Sequence, residues 1–424
     1  MDVTIDNETG KITETETGKV VGSTKTLNPI DIISDTTGKA IAAAIVESTE
    51  ANKAYYKQVQ PDTDFTRSWA GFKALCQQGA VGRYFNVGDQ LQCKKGSDTL
   101  TWDIVHIGDR DDGQNYVILQ MHDCWKQNIQ FDEREAIFKA TSNIPAGTYH
   151  FTTSVTGITD TSWTSSQKSG WSKTWQFTTT QTIPKGGVVC FARPKNLDTD
   201  LSTEGVSSYK TNGDTVAIET VEITEGTGGT DLATLGIINH AQRICYGYNR
   251  YAQSNIRQWL NSKADAGQWF TPQNDWDRPI ALKSDKGFMN DIDQDFLDVV
   301  TKSKITTSIN KISDNGGYDT TYDYFFLPCI KNLNGGDVLG IEDTDAWCYY
   351  TKFRMDGKTG INKIEDKNRI KKRMNTLEVV PYWWERTLFP TDAYGVNIVT
   401  NTGTVYAHGY ACHNLYAAIA CRIN

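Results

Sequence analysis

The chain has 424 residues, enough for two or three domains that each bury a core. Its 43 Lys and Arg against 51 Asp and Glu leave a net charge of −8 and no basic stripe, which argues against a DNA or RNA partner. Nine scattered cysteines, odd in number and never spaced Cys-x-x-Cys, argue against a zinc site and a disulfide scaffold, and read as reduced, mostly buried thiols.

The start, Met1-Asp-Val-Thr-Ile-Asp6, has neither the basic nor the apolar region of a signal peptide. Residues 1–35 are polar and Thr-rich, with short alternating runs at Val3, Ile5, Lys11-Ile12 and Val20-Val21 that cannot close a core alone. Over 36–57, Ile41, Ala44, Ile45, Ser48 and Tyr55 fall near helical spacing. That stripe is narrow and Ala-rich, so the helix needs a partner, and Gln60-Pro61-Asp62 ends it. No apolar run reaches the ~18 residues of a membrane-spanning helix.

From Phe85 the pattern changes to strands: Val87–Cys93, Thr99–Ile107 and Tyr116–His122. Asp109-Arg-Asp-Asp-Gly113 reads as a hairpin turn; Gln stands at position 120, where a calcium-binding loop needs Glu. Phe131–Phe138 is expected to be a short helix. Residues 145–222 read as an inserted β unit, and Glu225–Thr230 as a flexible link. A helix follows at Ser254–Asn261, with Ser254 capping it and Ile256, Trp259 and Leu260 on one face. A second, Asp291–Val300, presents Ile292, Phe296 and Val299. Tyr324–Ile330 is expected to be a buried strand, and the basic run Lys367–Arg373 a solvated helix face or loop.

The last forty or so residues carry the functional signal. The aromatic block Tyr382-Trp383-Trp384-Glu385 leads into a hairpin, Gly395–Thr400 and Thr404–Tyr410, turning at Asn401-Thr402-Gly403. Alternation puts Val405 and Ala407 on one face and Tyr406, His408 and Tyr410 on the other. His413, Asn414 and Tyr416 follow. Aromatic and adaptable polar side chains on one face suit a binding surface. The competing explanation is hairpin packing, since cross-strand aromatic pairs add roughly 0.2–1 kcal/mol each.

Nucleophilic chemistry has weaker support. Cys412 and His413 are adjacent on an extended segment and point to opposite faces. His122 ends a strand and reads as a satisfied, partly buried histidine, His106 and His240 lack companions at metal spacing, and Trp163, Trp171 and Trp175 read as packing residues. No enzymatic activity, cofactor or metal is expected.

The order Val87-Gly-Asp, Thr101-Trp-Asp-Ile-Val, Tyr116-Val-Ile-Leu, Tyr251-Ala-Gln-Ser-Asn-Ile-Arg-Gln-Trp-Leu-Asn, Gly287-Phe-Met, Phe325-Phe-Leu and Trp383-Trp384 resembles a family of uncharacterised domains. These are abundant in gut bacteriophages and Firmicutes and have a C-type-lectin-like fold, shared with formylglycine-generating enzymes and with the variable proteins of diversity-generating retroelements. The resemblance covers about residues 83–424, interrupted by the β unit. The commonest family form has Trp-Leu-Arg-Ser-Pro where this chain has Trp384-Glu-Arg-Thr-Leu-Phe-Pro390.

The resemblance implies an α+β, C-type-lectin-like domain in two parts, 83–144 and 223–424, around the insert at 145–222. Residues 1–60 would be a virion-attachment or oligomerisation segment with one helix. In the retroelement proteins, variable positions arise from Asn codons randomised at adenine. Tyr394, Asn397, Tyr406, His408, Tyr410, His413, Asn414 and Tyr416 are reachable that way; Trp383, Trp384 and Glu385 are not and read as scaffold. The implied function is that of a bacteriophage virion protein, a tail fibre, receptor-binding or head-decoration protein, made in the bacterial cytoplasm. It would bind a host-surface protein or glycan without nucleic acid or membrane insertion, as a homo-oligomer, with a trimer the guess. The alternatives are a purely structural decoration or fibre protein and, in second place, a formylglycine-generating-enzyme-like oxidoreductase.

Overall fold

The structure is a computed structural model. It describes residues 68–135, 138–155, 171–191, 246–274, 285–310, 316–334, 346–351, 367–389, 394–405 and 407–424, with a few positions and short strands between and before them. The expected helix over 36–57, and all of 1–60 apart from three strands, lie outside the described residues. So do His240 and Tyr406. The described chain is mixed α+β, mostly antiparallel strand with a few short helices. It forms two compact units, residues 1–86 with 109–115, and residues 87–108 with 116–424.

In the first unit, β1 (Val3–Ile5), β2 (Lys11–Glu14) and β3 (Val20–Ser23) form an antiparallel sheet. A helix not anticipated from the sequence, α1 (Trp69–Gln77), starts at Ser68, whose Oγ accepts from the Gly71 N–H at 3.0 Å. It buries Phe72, Leu75 and Cys76, and α2 (Val81–Tyr84) follows directly. The Phe72 ring meets that of Phe85 edge-on at 5.1 Å.

In the second unit, β4 (Gln90–Lys95), β5 (Asp98–Asp109) and β6 (Asn115–Met121) form a meander. The Asp109–Gly113 segment is the turn between two of them, with the Arg110 N–H donating to Gln114 O at 2.8 Å. β7 (Ile129–Gln130) comes next. No helix forms over Phe131–Glu135, because Phe131, Asp132 and Glu135 are all drawn inward, and Phe138 opens a strand.

The β unit comprises two sheets. β9 (Gly147–Val155), β10 (Trp171–Thr179), β14 (Thr220–Ile223) and β15 (Thr230–Asp231) make one. β8 (Phe138–Ala140), β11 (Val188–Phe191), β12 (Val206–Thr211), β13 (Asp214–Ala217) and β16 (Gly236–Ile238) make the other. The strands run from Phe138 to Ile238, wider than 145–222. Flanking strands too short to announce themselves in sequence complete both sheets.

Ser254 caps α3 (Asn255–Leu260), its Oγ accepting from the Arg257 N–H at 3.3 Å. Ile256, Trp259 and Leu260 are buried as their spacing predicts. The Trp259 ring stacks near Phe288 (5.2 Å) and Trp125 (6.1 Å), and Phe288 continues to Phe325 and Trp102, forming the aromatic core. The second predicted helix is shorter than expected, α4 (Gln294–Leu297), since Asp291 takes φ +61°. Its apolar residues Ile292, Phe296 and Val299 are nevertheless buried.

β17 (Val300–Thr301), β18 (Ser303–Ser308), β19 (Tyr318–Asp323) and β20 (Phe325–Phe326) follow. The buried strand expected over 324–330 is only two residues long. Pro328 lacks an N–H to extend it, and Ile330 opens α5 (Ile330–Asn334). α6 (Cys348–Thr351) precedes the basic run, in which Arg369 and Lys371 are buried, not solvated. Arg369 donates to Leu333 O at 3.0 Å and Lys371 to Met121 O at 2.9 Å, so both pin loops to the core.

The tail forms β21 (Tyr382–Leu388), β22 (Gly395–Thr400), β23 (Ala407–Tyr410), β24 (Asn414–Leu415) and β25 (Ala420–Ile423). β25 inserts between β6 and β17, so the last residues are a central strand of the core sheet.

Candidate functional site

β21, β22 and β23 make a three-stranded antiparallel sheet. The β22–β23 turn is the expected one: Gly403 takes φ +79°, the region a three-residue hairpin loop requires at its last position, and the Thr400 N–H donates to Thr404 O at 3.0 Å. The register pairs Gly395 with Tyr410 and Asn397 with His408 on one face, and Val396 with Gly409 and Ile398 with Ala407 on the other. Trp384 pairs with Ile398 and lies against Gly409, where a Cβ would come within 3.0 Å of the indole.

Trp383, Trp384 and Glu385 are all fully buried. The Trp384 indole N–H donates to Ile129 O at 2.7 Å, and that of Trp383 to Arg369 O at 3.0 Å. Trp383 and Trp384 pair with Val399 and Ile398 and so point to opposite faces of the sheet, each tied by its indole to a different loop. Between Trp384–Ile398 and Leu388–Val396, the three residues Glu385, Arg386 and Thr387 oppose the single residue Asn397. This bulge holds two extra residues on β21.

On the outer face the rings converge on Tyr410. Its centroid lies 4.6 Å from Tyr246, 5.3 Å from Tyr394, 5.5 Å from His408 and 4.6 Å from His413. Tyr246 stacks on Tyr394 at 4.6 Å, and Phe389 meets His408 edge-on at 4.6 Å. His408, His413 and Asn414 are exposed, and Tyr394 and Tyr410 half-buried. The expected face is therefore a continuous aromatic surface over Tyr394, His408, Tyr410 and His413. Burial, then the nearby charges of Arg134 and His408, lower the His413 pKa, so its ring is neutral at neutral pH.

Three predicted residues lie elsewhere. Asn414 is exposed but pairs with Gln130 across β24–β7. Tyr416 is 9% exposed, bridged to Trp383, and belongs to the frame. Asn397 is 1% exposed because its amide fills the bulge, donating to Thr387 O at 3.0 Å and Leu388 O at 3.3 Å. Cys412 is buried and His413 exposed, but they lie in a turn, the His413 N–H donating to Tyr410 O at 2.8 Å, and not on the extended segment expected.

Tyr246 and Phe389 were not anticipated. Tyr246 reaches the face from about 160 residues upstream through Gly247, which takes φ +84°. The Cys412 N–H donates to Tyr246 O at 2.9 Å, and Asn249 Nδ2 to Gly395 O at 2.9 Å, fastening that turn to the tail. The only local hint was a glycine between two tyrosines, which says nothing about a partner so far along the chain.

Among the described residues no group of three His, Cys, Asp or Glu is placed to hold a metal ion. Comparison with known proteins found no match among curated proteins or solved structures. Residues 228–423, which include the Tyr246 turn and the tail strands β21 to β25, match the model of a domain of unknown function, DUF6273.

Proposed function

We propose that the chain is a bacteriophage virion protein whose C-terminal domain, of C-type-lectin-like type, displays a receptor-binding face for a host-surface protein or glycan. One observation carries this reading: the aromatic face. Four codon-reachable residues, Tyr394, His408, Tyr410 and His413, share it, while the unreachable Trp383, Trp384 and Glu385 are fully buried. A rigid frame under an aromatic and imidazole surface suits recognition, since aromatic anchors offer large contact area at low entropic cost. Residues 1–60 would attach the protein to the particle, and several copies would convert modest affinity into avidity.

Labelled full-length chain applied to a panel of Firmicutes cells tests the reading. Saturable binding to some strains is expected, falling about tenfold or more for Tyr410→Ala, the loss of ~1.4 kcal/mol or more that a central anchor contributes. Absence of binding across the panel, or undiminished binding by Tyr410→Ala and His408→Ala, would overturn it.

A further inference from the structure

A second site lies in the same unit, and its described lining shares no residue with the tail face. It is a partly enclosed cavity of about 120 Å³, bordered by Tyr116 of β6, Lys304 of β18 and Arg422 of β25 among others. That volume is about the share of four water molecules, the size of a phosphate, a sulfate or a short carboxylate. Ile118, Ile305, Phe326 and Trp347 form buried, apolar walls.

Lys304 and Arg422 are the charged groups of the described lining, which includes no carboxylate. Both stand on paired strands, Lys304 opposite Tyr322, and Arg422 between Ile118 and Thr301. Arg422 is held further by its Nε, which donates to Asn424 Oδ1 at 2.5 Å, and by the Tyr116 ring, whose centroid lies 4.0 Å from the guanidinium. A guanidinium carries five N–H donors and an ammonium three, so each cation can meet an oxyanion besides its protein partners. Apolar walls lower the local dielectric and strengthen that attraction.

Two acceptors of the lining are turned toward protein donors. His106 Nδ1 accepts from the Cys348 backbone N–H at 3.4 Å, so Nε2 carries the ring proton, toward Tyr116 Oη at 3.2 Å, and no imidazole lone pair is left to repel an anion. Asn332 Oδ1 accepts from the Cys329 N–H at 3.0 Å and from Arg386 Nη1 at 3.1 Å. We propose that the cavity binds a small oxyanion, with Lys304 and Arg422 as its charge partners. The same chemistry fits a free ion such as phosphate and the phosphate group of a larger molecule. The site is independent of the aromatic face.

Titration calorimetry of the full-length chain at neutral pH and constant ionic strength tests this, with phosphate, glycerol 1-phosphate, acetate and acetamide as probes. Phosphate is expected to bind saturably. Acetate should bind about tenfold or more tightly than acetamide, which has its size without its charge. Lys304→Glu, a change at an exposed position, should weaken phosphate binding about tenfold or more, and Tyr410→Ala should leave it unchanged. Displacement of phosphate by glycerol 1-phosphate would support the site and assign it to a group carried on a larger molecule; phosphate binding without displacement would support it as a site for the free ion. Phosphate heats that do not saturate, acetamide binding as well as acetate, full phosphate affinity in Lys304→Glu, or its loss in Tyr410→Ala overturns the proposal. The first two of these measurements need no variant to fold.

Discussion

Gly247→Ala perturbs the link between the Tyr246 turn and the tail. The residue holds φ +84°, and a Cβ there would sit 2.9 Å from Asp132 O, 3.0 Å from Cys412 N and 3.2 Å from Ala411 Cβ. The left-handed backbone costs a non-glycine residue about 1–2 kcal/mol. Two of the three contacts are to backbone, which cannot rotate away, so overpacking adds about 1–3 kcal/mol. The sum is about 2–5 kcal/mol. Because the Cys412 N–H is bonded to Tyr246 O, relief of the clash must lengthen that bond and pull Tyr246 from Tyr410. Urea denaturation followed by tryptophan fluorescence should show the midpoint of the main transition falling by about 0.7–2.5 M, given a slope of roughly 2–3 kcal/mol per M. A midpoint within about 0.2 M of wild type would refute the reasoning, for it would mean the turn can relax without engaging the tail.

Asn397→Ala should destabilise by about 1–3 kcal/mol, since it leaves the bulge carbonyls of Thr387 and Leu388 without their buried donor; equilibrium denaturation measures it. Gly82→Ala, in α2 with nothing within 4 Å of the new Cβ, should raise stability by about 0.5–1 kcal/mol, read as a higher thermal midpoint. The pair His122–Asp103 predicts a pH optimum. The hydrogen bond to Asp103 raises the His122 pKa above 6.5 against the opposing effect of burial. Burial alone would raise the Asp103 pKa, but the His122 hydrogen bond, the Lys371 charge and Gln90 together hold it below 3.8. The histidine contribution is complete below pH 6.5 and lost as pH rises through its folded value. The aspartate contribution is complete above pH 3.8 and lost as pH falls through its own. Wild-type stability should therefore decline from pH 6 to pH 8.5, and His122→Gln should flatten that slope; equal slopes in the two proteins would refute the assignment.

The sequence by itself determined the features that depend on neighbours along the chain. Ser254 with Ile256, Trp259 and Leu260 marked a capped amphipathic helix, and Gly403 marked the hairpin turn. Alternation along 405–410 separated the exposed His408 from the buried Val405 and Gly409. Tertiary structure decided which distant segments meet. The Tyr246 turn joined the aromatic face, β8 and β15–β16 completed the inserted sheets, and Cys348 came to rest on His106 from 242 residues away. Local pattern also misjudged burial. Asn397 and Tyr416 looked available for a ligand, and Lys371 looked solvated, yet each is drawn inward because a buried carbonyl or tryptophan needs it there. Periodicity reports which side of an element a residue occupies; whether that side faces water depends on what packs against it, and that information lies elsewhere in the chain.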